Sequence, residues 1–159
     1  MTPCPARALR RILALVAVAA VAGGCAPRRA GLLREVPAER RANPRVLRME
    51  VTAYCPCGQC CGWERGRWGR PVFAYGPQKG QPKRVGITAS GTRARPGTIA
   101  ADTSLLPFGT IVYVPGYGYG RVEDRGGAIR GRRLDVFFRR HGDALEWGRQ
   151  TLDVKVWTP

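Results

Sequence analysis

The clearest hydrophobic pattern in the chain begins at residue 45, where apolar and polar positions alternate with a period of two. Leu47, Met49, Val51 and Ala53 fall on one face, and Arg48, Glu50 and Thr52 on the other. This predicts a half-buried strand over 46–54. The same reading gives short strands at 86–89, 98–101, 110–114, 121–124, 133–138 and 152–157. Turn signals separate them: Pro107-Phe108-Gly109, Pro115-Gly116-Tyr117-Gly118 and Gly126-Gly127. Only 142–147 reads as helix, with Asp143 in its first turn and Gly148 beyond its end. Seven short strands and one short helix point to a mainly β fold, a compact barrel rather than a sandwich of long strands. Residues 63–84 carry no period and are rich in Gly, Pro and aromatic side chains, which predicts a long loop.

The first 44 residues have a different character. Arg7, Arg10 and Arg11 precede an unbroken apolar run of eleven residues, 12–22, too short to span a bilayer and suited to the core of a signal peptide. Ala22-Gly23-Gly24-Cys25 follows and resembles a bacterial lipobox, so Cys25 is expected to be lipidated after residues 1–24 are removed. An ordinary signal peptide with an incidental Cys is the alternative. Residues 25–44 hold Pro27, Pro37, Pro44 and several charges without an apolar period, and read as a tether to a single domain over 45–159.

Composition then narrows the partners. There are 27 Lys+Arg against 11 Asp+Glu, a formal net charge of +16, and only Lys79, Lys83 and Lys155 are lysines. An anionic partner follows. Export makes nucleic acid an unsuitable one and favours cell-wall polymers or anionic lipid head groups. A generally basic, soluble surface would carry the same charge.

Four cysteines crowd into seven residues: Cys55-Pro56-Cys57-Gly58-Gln59-Cys60-Cys61. In an oxidising compartment this predicts disulfides that pin the loop after the first strand. Four thiolates on a tetrahedral zinc are the second possibility, although two separated Cys-x-x-Cys pairs are missing. Free thiols are the third. No metal or cofactor is assigned to the chemistry, and the lone His141 reads as a surface loop residue.

Among so few acids, Asp102, Asp124 and Asp135 stand out, because each adjoins a strand and a turn rich in Gly or Pro. Asp135 lies opposite Leu134, Val136 and Phe138 in a strand, where aspartate is disfavoured unless a hydrogen-bond network or a function compensates it. The strings Thr52-Ala53-Tyr54, GITASGTRARPGTIAADTSLLPFGTIVYVPGYG over 86–118 and VEDRGGAIRGRRLDVFF over 122–138 resemble the 3D domain, named for three aspartates. That domain is similar to the catalytic barrel of the membrane-bound lytic transglycosylase A family.

The resemblance covers about 45–157 and implies a six-stranded double-psi β-barrel. It also implies cleavage of peptidoglycan glycan strands, with no cofactor assigned; together with the lipobox, the expectation is a monomeric envelope lipoprotein that faces the periplasm from the outer membrane. The three aspartates fall on Asp102, Asp124 and Asp135, with Asp135 as catalytic acid and Asp124 as its support. Tyr54, Thr88, Gly126 and Gly127 would line the substrate cleft. Arg125 departs from the family, which usually has Thr there. The second domain of the full-size transglycosylase has no counterpart in the chain, so looser substrate binding is expected. A wall-binding lipoprotein without catalysis, and a purely structural module, are the alternatives.

Overall fold

The computed structural model describes residues 43–159; the expected signal peptide, Cys25 and the tether fall outside this range. The barrel strands are β1 (Arg45–Tyr54), β4 (Thr98–Ala101), β5 (Ile111–Val114), β6 (Gly118–Asp124), β7 (Arg133–Phe137) and β8 (Gln150–Trp157). They close in the order β1-β7-β4-β6-β5-β8. Two pairs are parallel, β1 with β7 and β4 with β6, and the other four are antiparallel. This is the six-stranded barrel that the resemblance implies.

The period-two residues of β1 do what their spacing demands. Met49 and Val51 enter the core with Ile99, Val112, Val122, Leu134, Val136, Val154 and Val156. Leu47 and Ala53 pack at its margin. β-Branched side chains dominate this interior, as suits residues held on a pleated, closely curved sheet. Tyr117 is wholly buried there, and its hydroxyl has work on both sides. It accepts from the Gly97 amide at 2.8 Å and donates to the Phe137 carbonyl at 2.9 Å. A buried hydroxyl so satisfied ties β7 to the start of β4. Gly120 is required by proximity: a Cβ there would stand 2.6 Å from the Gly97 carbonyl oxygen and 2.7 Å from Ile99.

Three segments differ from the sequence expectation. The strand expected at 86–89 does not form. Ile87 bridges Arg93 in isolation, while the Thr88 hydroxyl is shared with Thr92 and Ser90 in a local turn that competes with a ladder. The loop expected over 63–84 contains a hairpin, β2 (Trp63–Arg65) with β3 (Pro71–Phe73), turned by a 3-10 segment at Arg67–Gly69. A short helix, α1 (Gly58–Cys61), occupies the cysteine run. The helix expected at 142–147 is present as α2 (His141–Trp147).

Candidate functional site

Strand register brings two of the three aspartates to one face. Across β1, β7, β4 and β6, Thr52 pairs with Asp135, Asp135 with Ala100, and Ala100 with Asp124. The row lies on the outer side of the sheet, opposite the core residues Val51, Leu134 and Ile99. Asp124 reaches this face through a register shift between β4 and β6: Ile99 pairs with Val122, but Ala100 pairs with Asp124. Glu123 is the extra residue of the bulge. Were Glu123 paired regularly, with no bulge, the pleat would turn Asp124 to the same side as Val122. Glu123 itself is buried, accepts from the Thr98 hydroxyl at 2.9 Å and faces Arg95 at 3.9 Å.

Asp135 is half-buried and accepts one hydrogen bond, from the Thr52 hydroxyl to Oδ1 at 2.9 Å. Its pKa is raised to about 6, chiefly by burial, with the neighbouring Asp124 carboxylate contributing to the rise. The Thr52 hydrogen bond and Arg133 pull the other way. Arg133 is itself engaged by Glu50 at 2.7 Å. Asp124 is the better-solvated partner by hydrogen bonds: its Oδ1 accepts from the Ala89 and Arg125 amides, each at 2.9 Å, and its Oδ2 from the Tyr54 hydroxyl at 3.2 Å. The two carboxyls thus have unlike environments, the arrangement that lets one hold a proton beside an ionised neighbour. Tyr54 is buried edge-on against Phe137, with ring centroids 5.4 Å apart, and burial together with Asp124 keeps its phenol protonated.

Asp102 stands apart from this pair. Its Oδ1 accepts from the Ser104 hydroxyl and amide at 2.6 and 3.0 Å, and its Oδ2 from the Gly131 amide at 2.8 Å. It therefore clamps its own turn to the loop 125–131. These donors, the Ser104 hydroxyl first, lower its pKa to about 2. An open cleft of about 400 Å³ borders this clamp, lined by Asp102, Arg125, Gly126, Gly127, Ile129 and Arg130 among others. Gly126 and Gly127 are among its lining residues, while Thr88 is buried with its hydroxyl inside the 88–92 turn. Asp135 and Asp124 are not among the residues lining this cleft; Arg125, whose amide donates to Asp124, is.

The clamp makes a prediction. Asp102→Asn sets an amide N–H against the Gly131 N–H, so the 125–131 loop should loosen and the melting temperature fall. The folded pKa is below the unfolded one, so the wild-type contribution is full above about pH 4. It is lost as pH falls toward about 2. The gap between the melting curves of variant and wild type should narrow over that range. A gap that widens on acidification would contradict the clamp.

The cysteines and the lone histidine need correction. The expected disulfides are not formed: Cys55, Cys57, Cys60 and Cys61 are free, and the Cys55 and Cys60 sulfurs lie 3.7 Å apart. His141 is not a loose surface residue. It opens α2, and its Nδ1 lies 3.4–3.7 Å from the sulfurs of Cys55, Cys57 and Cys60. The sequence holds no local signal for this meeting, because His141 is more than eighty residues away. Cys60 and Cys61 also pack on Tyr54, Ala100 and Phe137, beside the aspartate row. The residues missed by sequence reasoning are thus Thr52, Glu123 and His141. Period two on β1 already put Thr52 outward; the other two required the fold.

Parts of the chain are similar to known proteins. Residues 97–158 match the 3D domain family. A stretch of 75 residues is 43% identical to the cell wall-binding protein YocH of Bacillus subtilis (strain 168), covering 45% of this chain and 26% of YocH. Among solved structures, MltA from E. coli is similar at 21% identity and a TM-score of 0.40, over 50% of this chain and 30% of MltA. MltA with bound chitohexaose is similar at 23% identity and a TM-score of 0.39, over 55% and 31%. The chain thus spans about a quarter of YocH and under a third of MltA. The stretch matched to the family contains Asp102, Asp124 and Asp135, and β1 completes the barrel from outside it. Residues 97–158, which hold five of the six barrel strands, are thus what this chain shares with the 3D domain family.

Proposed function

We propose that the protein cleaves peptidoglycan glycan strands as a lytic transglycosylase, with Asp135 as the single acid and base. The observation that carries this reading is the outward row of Thr52, Asp135, Ala100 and Asp124, with Asp135 held at a pKa of about 6. A carboxyl so placed keeps a useful protonated fraction near neutrality, as a general acid must. Asp135 would give its proton to the glycosidic oxygen as the bond to the sugar breaks. The resulting carboxylate would then take the proton from the sugar's own 6-hydroxyl, which closes a 1,6-anhydro ring. This cycle requires no second catalytic carboxyl at the spacing of a hydrolase. Asp124, whose charge raises the pKa of Asp135, would support the proton there. Tyr54 would fix Asp124 in place, and the backbone at Gly126 and Gly127 would steady developing charge.

A second reading is glycan binding without cleavage. Arg125 and Arg130 make the cleft cationic, suited to anionic wall polymers, and the similarity to YocH, named as cell wall-binding, supports an envelope role. Incubation of the protein with purified sacculi, followed by mass analysis of the soluble products, separates the readings. Anhydro-muropeptides are expected. Reducing ends would mean hydrolysis, and sedimentation with sacculi without product would mean binding alone.

The same proposal places the domain on a membrane as a monomer, through a lipid on Cys25 at the periplasmic face of the outer membrane, motivated by the apolar run 12–22 and the small residues before Cys25. Cys25→Ser should shift the protein out of the membrane fraction or stop its maturation. Wild-type membrane recovery of that variant would overturn the anchor.

A further inference from the structure

The side chains of Cys55, Cys57, Cys60 and His141 converge on one point between the end of β1, the start of α1 and the start of α2. Their three sulfurs and an imidazole nitrogen all lie within 4.8 Å of one another. We propose that these four residues bind one structural Zn²⁺ as a closed Cys₃His site and that Cys61 is not a ligand.

The spacing of the ligand atoms carries the inference. Zinc bonds of about 2.3 Å to sulfur and about 2.0–2.1 Å to nitrogen, in a tetrahedron, put ligand sulfurs about 3.8 Å apart and sulfur and nitrogen about 3.6 Å apart. The Cys55 and Cys60 sulfurs are 3.7 Å apart. The distances from His141 Nδ1 are 3.7 Å to Cys55, 3.5 Å to Cys57 and 3.4 Å to Cys60. The same sulfur separation is far from the roughly 2.05 Å of a disulfide.

The local backbone fits a thiolate site as well. Cys57 caps α1, and its sulfur accepts from the Cys60 amide at 3.4 Å. Amide donation of this kind supports negative charge on a ligand sulfur. Gly62 ends the helix in the left-handed region, at φ 58°, where a side chain would also meet the Tyr75 ring. The chain thereby turns away as soon as Cys60 is in position. Cys61, next in sequence, points elsewhere: its sulfur donates to the Cys55 carbonyl at 3.1 Å. Three thiolates and one imidazole are the donor set of closed structural zinc sites, with no position left for water. Binding releases the thiol protons to solvent, while zinc is neither oxidised nor reduced.

The site has a definite place in the architecture. It joins the N-terminus of α2 to the loop whose Cys60 and Cys61 pack on Tyr54, and Tyr54 donates to Asp124. Zinc would thus hold the wall of the aspartate row without touching the reaction. The metal assignment stands whether or not the row cleaves glycan.

The test uses the full chain, purified in detergent without chelator and protected from oxidation. Elemental analysis should find one zinc per chain. Exchange with Co²⁺ should give the intense visible bands of tetrahedral cobalt and the near-ultraviolet sulfur-to-cobalt band. Cys61→Ser should keep both the stoichiometry and the spectrum. His141→Ala and Cys60→Ser should weaken zinc binding by about 100-fold or more, beyond the 10–100-fold typical of an outer-shell partner. Wild-type protein that takes up neither Zn²⁺ nor Co²⁺ after full reduction would overturn the site, a result that does not depend on any variant folding. Loss of the cobalt spectrum in Cys61→Ser to the same degree as in Cys60→Ser would overturn the ligand set.

Discussion

Asp135→Asn should abolish glycan release while making the folded protein more stable at neutral pH. The two effects share one cause. The wild-type carboxyl is half-buried with a single side-chain donor, Thr52, and its pKa stands at about 6. Asn keeps the shape and can still accept from the Thr52 hydroxyl, so the sheet should be undisturbed. It cannot deliver a proton, and general acid catalysis is typically worth 10²–10⁴-fold. The stability effect follows from linkage. The folded state holds the Asp135 proton more tightly than the unfolded chain does. Its contribution is full below about pH 4 and is lost as pH rises through about 6. Above that range the folded protein carries an ionised group that burial disfavours. At about 1.4 kcal/mol per pKa unit, removing it should gain on the order of 1–3 kcal/mol at pH 7. Melting curves should show the variant above wild type at pH 7 and level with it near pH 4. A variant less stable than wild type at pH 7 would mean that the ionised carboxylate is well compensated.

Asp124→Asn should act on the pH profile rather than on the chemistry itself. Burial is the larger cause of the raised pKa at Asp135, and the Asp124 charge adds to it. Without that charge, the pKa of Asp135 should fall. Each unit lowers the protonated fraction at pH 7 about tenfold. Activity should therefore drop at pH 7 and much less near pH 5, with the alkaline limb displaced toward acid. Asn can still accept from the Ala89 and Arg125 amides, and its N–H can turn to the Tyr54 oxygen, so folding should survive. An equal loss at both pH values would indicate that Asp124 contacts substrate or the reacting atoms directly.

The barrel was legible in the sequence where one face is buried and the other wet. Leu47, Met49, Val51 and Ala53 on β1, and Leu134 and Val136 around Asp135, repeat every second residue, and the core they predict is the core observed. Asp135 was legible for the same reason, as an acid facing outward in an otherwise apolar strand. Asp124 was legible as a residue but not as a geometry. The run Val122-Glu123-Asp124 alternates as if Asp124 faced the core, and only the bulge against Ile99 and Ala100 turns it outward. The β2–β3 hairpin had no period to show because it is three residues on each side and has no buried face. His141 was misread because its place depends on α2 lying over the end of β1, a tertiary contact that no local pattern encodes.

The central claim is that Asp135 cuts glycan by internal ring closure, without water. It is tested most directly by digesting sacculi with the wild-type protein in water enriched in oxygen-18 and weighing the new glycan ends. The account predicts 1,6-anhydro ends that carry no label, and no such ends from Asp135→Asn. Oxygen-18 at new reducing ends, or unchanged anhydro product from Asp135→Asn, would contradict it.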